Sequence, residues 1–148
     1  VPGLRTDAER LRIALVNLIV NARQAVDTRP TAAAVSASGL AAPAPNADVP
    51  RVLVKTRATS DRVAVTIADD GAGIDRTDLP RVFDPYFTTK RGGTGLGLPI
   101  AKNIVEGLGG TIAVATVPGH GTEVRIELPL DAVLLSSSST PHLAEERT

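Results

Sequence analysis

The chain has 148 residues, a length that favours one domain with a core of ordinary size, and its 43% hydrophobic content with two Phe, one Tyr and no Trp makes that core aliphatic. Sixteen basic residues balance sixteen acidic ones, which argues against nucleic acid as the main partner but leaves room for a phosphorylated small ligand in a local site. With no cysteine there can be no disulfide or thiolate metal site, and two histidines are too few for a histidine-only one.

A helix is expected from Asp7 to about Asp27. "TDAE" offers Thr6 as N-cap with Glu9 three residues on, a capping-box arrangement. Leu11, Leu15, Leu18, Ile19, Ala22 and Val26 then recur at threes and fours. Residues 28–50, rich in Ala, Pro and Ser, carry no sustained period and read as a flexible surface insert. "RVLVKTR" (51–57) and "RVAVTIA" (62–68) alternate around "ATSD", a hairpin signal. The stretch 69–97 is dense in glycine and charge and too long for an idle connection. A second helix is expected from Leu98 to Leu108, opened by Pro99 and stopped by Gly109-Gly110. "TIAVATV" and "TEVRIELPL" form a second hairpin around "PGHG". The order helix, two strands, loop, helix, two strands predicts a two-layer α/β sandwich. Its sheet is mixed but mostly antiparallel, with helices on one face. Residues 1–135 form the domain, and 136–148 are a polar tail expected to be disordered.

Three clusters carry chemistry. In "NLIVNARQAV", Asn17 and Asn21 share a helix face. Their amide oxygens suit a hard cation such as Mg²⁺ shared with phosphates, unless they merely face solvent. In "DDGAGI", Asp69 carries an apolar strand into a turn built on Gly71 and Gly73. The alternatives are an ordinary turn and a carboxylate accepting from an exocyclic amine such as that of adenine. In "KRGGTGLGLPI", Gly92, Gly93, Gly95 and Gly97 precede a helix and offer backbone N–H groups to phosphate, with Lys90 and Arg91 just upstream. It is neither a P-loop nor a Rossmann turn, and a flexible hinge is the competing reading.

Taken in order, the clusters resemble the ATP-binding catalytic domain of sensor histidine kinases, within the wider superfamily of gyrase, chaperone, kinase and mismatch-repair ATPases. "NLIVNARQAV" resembles that family's asparagine box and "DDGAGI" its first glycine box. "FDPYFTTK" resembles its phenylalanine box, "GGTGLGLPI" its second glycine box, and "GHGTEVRIELPL" its closing strand pair. The likeness covers about residues 4–130, and "FTTK" before "GTGLGL" is closest to the nitrogen-regulator-like branch. It implies a Bergerat-type fold binding ATP and Mg²⁺. Asn21 would be the metal ligand, with Asn17 near the phosphates. Asp69 would hold the adenine amine, with Gly71 and Gly73 shaping that wall. Phe83 and Phe87 would anchor a lid over about 75–94. Gly93, Gly95 and Gly97 would line the triphosphate, with Lys90 reaching the γ-phosphate, and Ile74, Thr89, Thr94, Leu96 and Leu98 would also belong to the ATP site. Thr122 would sit near the adenine. Catalysis would fall to Asn21 and Lys90.

Two features depart from the family's pattern. Gln24 stands where many relatives carry a basic residue, which shifts one phosphate contact to Lys90 or Arg91, and the 28–50 insert is unusually long. Hydrolysing members of the superfamily place a glutamate four residues before the metal asparagine. Here that position is Asn17, which cannot take a proton at neutral pH, so phosphoryl transfer is favoured over hydrolysis. The resemblance implies a histidine acceptor on a separate helical dimerisation domain, and a response regulator reached through the parent protein. His120, in a glycine turn, and His142, in the tail, are not read as acceptors. The chain opens Val1-Pro2-Gly3 without an initiator methionine, suggesting a piece of a longer kinase. No signal peptide and no apolar run of about 18–20 residues is present. The expected setting is therefore cytoplasmic, without membrane contact by this chain, though a membrane-anchored parent is allowed. The competing functions are an ATPase or serine-directed kinase of the same superfamily, or a nucleotide-binding module without catalytic output.

Overall fold

A computed structural model describes residues 3–28, 51–90 and 92–130. The 28–50 insert beyond Thr28, the 136–148 tail, Arg91 and His142 lie outside these residues. The first helix, α1, spans Ala8–Asp27. Its cap is Asp7, whose carboxylate accepts from the Arg10 N–H at 3.1 Å, so the expected Thr6–Glu9 capping box does not form. The Arg5 N–H donates to the Leu130 carbonyl at 3.1 Å. This ties the chain to the sheet just before the helix, and the turn starts one residue later than the sequence suggests. The Thr6 hydroxyl is buried without a hydrogen-bond partner.

Along α1 the buried residues are Ala14, Leu18, Ala22 and Val26, one every fourth position, so a single stripe faces inward. Strand β1 (Val52–Ala58) pairs antiparallel with β2 (Arg62–Asp69). A second helix, α2, spans Gly97–Gly107, and β3 (Thr111–Val117) and β4 (Gly121–Pro129) close the fold. The sheet order is β1-β2-β4-β3, and all three pairings are antiparallel.

Period-two alternation sorts the sheet into two faces. On the helix side, register places Thr56, Val65, Ile126 and Ile112 in one row, then Val54, Ile67, Val124 and Val114 in the next. Ile67, Ile126 and Leu128 pack with Leu18, Ala101, Val105 and Leu108 in a single apolar cluster. Ala14, Ala22 and Ala101 are buried where the helices meet, and their small side chains let α1 and α2 approach closely over the central strands. The opposite face carries Lys55, Thr66 and Arg125 in register, with Glu123 and Glu127 flanking Arg125 along β4. It is the solvent side of the two-layer sandwich.

Candidate functional site

The helix-side rows end in polar groups. One step beyond Val54, Ile67, Val124 and Val114, register brings Asp69, Thr122 and Thr116 side by side on β2, β4 and β3. Asp69 and Thr122 of this row, with Thr116 behind Thr122, form one wall of a cavity of about 410 Å³ between the helices and the segment joining β2 to α2. Ile67, Val114 and Val124 provide an apolar floor. Asp69 is the only carboxylate among the described residues lining it.

Asp69 accepts from the Gly71 N–H at 2.9 Å, closing the turn after β2. Burial pushes its carboxyl above the usual aspartate range, against the opposing pull of the Gly71 and Thr122 backbone N–H groups and the Lys90 charge. Gly73 has φ 74°, and a Cβ there would lie 2.5 Å from the Val117 carbonyl. Only glycine fits that left-handed position against the β3–β4 turn. Ile74 is held by its N–H donating to Thr116 Oγ1 at 2.8 Å.

α1 supplies the facing wall. Asn17 and Asn21 are half-buried and line the cavity together with Gln24. Asn17 Nδ2 donates to the Ile13 carbonyl at 2.9 Å, which leaves its Oδ1 for other partners. Asn21 lies against the start of α2: a Cβ on Gly97 would come within 3.1 Å of Asn21 Nδ2. The carboxamide and the helix N-terminus thus converge on one spot. Their donors are neutral oxygens and backbone N–H groups. The amide oxygens suit a hard cation that keeps most of its ligands from phosphate and water, and the N–H groups suit the phosphate itself, so the residues present fit Mg²⁺ carried by a nucleotide. No cluster of three or more His, Cys, Asp or Glu that could hold a metal alone exists among the described residues.

The connecting segment folds over the top. A 3-10 turn, Leu79–Arg81, is followed by the buried Val82. Lys102 of α2 sits 5.0 Å from the centre of the Phe83 ring, and Arg81 sits 4.4 Å from that of Phe87; both are cation–π geometries. The Tyr86 N–H donates to the Gly95 carbonyl at 3.0 Å. Lys90 reaches into the cavity, and its ammonium donates to the Asn21 carbonyl at 3.0 Å. Burial lowers its pKa, partly offset by Asp69.

Of the described residues assigned to the nucleotide site from sequence, all but Gly71 and Phe83 line this one cavity; Arg91 lies outside the described residues. Gly71 acts from behind through its N–H to Asp69, and Phe83 packs toward Lys102 outside the lining. The floor residues Ile67, Val114 and Val124, and Thr116 behind Thr122, were not singled out. Their one signal was strand alternation, which cannot tell floor from core.

An apolar slot capped by a carboxylate, with paired amides and a glycine-rich helix start at its other end, is chemically a purine-and-phosphate receptor. Residues 6–132 match the family described as histidine kinase-, DNA gyrase B-, and HSP90-like ATPase. The chain belongs to this family. Within that ATPase family it is similar to the ATP-binding catalytic domain of sensor histidine kinases. It is 33% identical over 129 residues to the signal transduction histidine-protein kinase AtoS of Escherichia coli (strain K12), covering 86% of this chain and 18% of that protein. It is 37% identical over 130 residues to the sensor histidine kinase ZraS of Salmonella typhi, covering 87% of this chain and 24% of that one. The chain therefore spans about a fifth to a quarter of the length of these relatives. Among solved structures, the nucleotide-free catalytic domain of histidine kinase ThkA superposes with a TM-score of 0.64 at 26% identity, over 85% of this chain and 70% of that one. The mycobacterial sensor histidine kinase MprB gives 0.62 at 26% identity, over 83% and 72%.

Proposed function

We propose that this ATPase-family domain binds Mg-ATP and donates the γ-phosphoryl group to a histidine on a helical phosphoacceptor domain of its parent sensor kinase. The observation that carries the reading is the single cavity in which Asp69 and Thr122, the Asn17–Asn21 pair, and the 92–98 segment face one another. Asp69 accepts from the adenine amine, with Ile67, Val114 and Val124 against the ring. Asn21 Oδ1, aided by Asn17, holds Mg²⁺ together with the phosphates; the ion neutralises phosphate charge. The backbone of Gly93, Gly95 and Gly97 and the start of α2 receive the phosphate oxygens. Lys90 moves from the Asn21 carbonyl to the γ-phosphate. In the transfer, the acceptor imidazole nitrogen attacks the γ-phosphorus, a P–N bond forms, the bond to the β,γ-bridging oxygen breaks and ADP leaves. The chain's contribution is positioning and charge stabilisation.

Hydrolysis is the less favoured chemistry. The one lining carboxylate, Asp69, is at the β2 end and is engaged by the Gly71 N–H, and Asn17 stands where a general base would be needed. His120 lies exposed in the turn between β3 and β4, away from the cavity lining. No helix among the described residues is long and apolar enough to cross a membrane. We place the domain on the cytoplasmic side of its parent, with a response regulator as the onward partner. The test joins this domain to its upstream helical segment and supplies labelled ATP. Acid-labile, base-stable phosphate on the protein, lost on Asn21→Ala, is expected. Label released only as inorganic phosphate would favour an ATPase instead.

A further inference from the structure

Thr116 does not itself line the cavity, but its hydroxyl bonds two residues that do, Ile74 and Thr122. It receives the Ile74 N–H at 2.8 Å, lies 3.0 Å from the Gly121 carbonyl and 3.2 Å from the Thr122 hydroxyl. A threonine hydroxyl has one proton to give and two lone pairs to accept with. The Ile74 N–H can only donate, and the Gly121 carbonyl can only accept. Thr116 therefore spends its proton on Gly121, and the Thr122 hydroxyl must be the donor in the pair. Thr122 gives up its only proton to Thr116 and has only lone pairs left for the cavity it lines.

We propose that Thr116 is a positioning residue that sets the polarity of base recognition. By holding the Thr122 hydroxyl as an acceptor beside the Asp69 carboxylate, it leaves only acceptors to face the purine 6-position, and so favours a 6-amino over a 6-oxo substituent there. The proposal rests on the reading of this cavity as the purine site. The same oxygen also holds Ile74, so one side chain ties the turn after β2 to the β3–β4 hairpin on the sheet side of the slot. With the proton acceptor gone, the Thr122 hydroxyl is free to rotate and donate, and a carbonyl at the purine 6-position becomes acceptable.

The experiment compares ATP with inosine triphosphate, which differs from ATP at the 6-position and its adjoining ring nitrogen. Calorimetry is run on the folded domain carrying Thr116→Val, Thr116→Ser, Thr122→Val, the Val–Val double variant and Asp69→Asn. Thr116→Val is expected to narrow the ATP preference about three- to tenfold, the worth of one neutral hydrogen bond, and Thr116→Ser to restore it. In the Thr122→Val background, Thr116→Val should change the preference no further, because its effect passes through the Thr122 hydroxyl. A preference that ignores Thr116→Val, that serine does not rescue, or that falls additively in the double variant overturns the proposal. Should Thr116→Val not fold, Thr116→Ser with wild-type preference and Thr122→Val with the narrowed one decide in its favour, and any other pair decides against it. ATP affinity indifferent to Asp69→Asn overturns the purine reading itself. An Asp69-dependent site that fails the threonine arms overturns this proposal alone.

Discussion

Two side chains concentrate the chemistry. Asp69 is a carboxylate at the end of an apolar row, so burial and hydrogen bonding oppose each other on it. Asp69→Asn is expected to weaken ATP binding about 10–100-fold, the worth of a hydrogen bond to a charged group; unchanged affinity by calorimetry would remove the adenine assignment. The same environment sets a pH dependence. Because the carboxyl is raised above its ordinary value, it takes up a proton at a higher pH than a solvated aspartate. ATP affinity should therefore begin to fall on the acid side earlier than an ordinary carboxylate predicts, and Asp69→Asn should be flat across that window. For the empty protein the sign reverses. The folded state holds this proton more tightly than the unfolded one, so the stabilisation is complete below the ordinary value. It is lost as pH rises to the raised one, and at neutral pH Asp69→Asn should leave the melting temperature unchanged or higher. Asn21 presents a carboxamide to the α2 N-terminus. In Asn21→Ala the affinity for ATP should be the same with and without Mg²⁺, and a persisting Mg²⁺ dependence would assign the metal elsewhere.

Elements differ in how firmly they are held. α1 and α2 share a buried stripe, whereas the described residues of 75–94 contain one 3-10 turn and reach the helices through the Lys102–Phe83 contact and the Lys90–Asn21 hydrogen bond. Low local packing of this kind favours local opening. Amides of this segment should exchange rapidly in the empty protein and slow on adding Mg-ATP, while those of β2 and β4 stay protected throughout; strong protection without nucleotide would count against a mobile lid. The segment bonds back on itself at Gly95, whose carbonyl accepts from the Tyr86 N–H. The Gly95 φ is 69°, and a Cβ would sit 2.5 Å from the Tyr86 carbonyl carbon. Tyr86 itself is held at φ 66°. Gly95→Ala adds left-handed strain of about 1–2 kcal/mol and a backbone clash, so the lid should detach. We expect nucleotide affinity to drop about tenfold or more with α1 and the sheet intact by amide exchange, and wild-type affinity would show that the lid closes by another route.

At the scale of the molecule, the cavity exists because two layers leave a gap at one end of the sheet, where the apolar rows stop and the polar row begins. Nucleotide filling that gap contacts both helices, the sheet and the lid at once, so binding should couple to global stability. A hundredfold excess of Mg-ATP over its Kd should stabilise the domain by about 2.7 kcal/mol, read as an upward shift in a thermal scan. A scan indifferent to saturating nucleotide would mean that ATP binds a locally unfolded form.

Sequence alone was enough for what depends on short-range physics. The 3.6-residue period marked α1, Pro99 and Gly109-Gly110 bounded α2, alternation and turn residues marked the hairpins, and the order of the asparagine and glycine clusters pointed to the family. These signals are local, because helix faces and strand faces repeat within a few residues. The cap of α1 was read one residue early, since the tie between Arg5 and Leu130 joins opposite ends of the domain. Phe83 and Phe87 were legible as a pair, but not that one faces Lys102 and the other the cavity. Strand alternation placed Thr116 on a sheet face but gave no sign of its role, for its neighbours Ile74, Gly121 and Thr122 meet only when β3 and β4 close against the turn after β2. Hydrogen-bond polarity at the site belongs to such long-range closures, so it was decided by the tertiary structure.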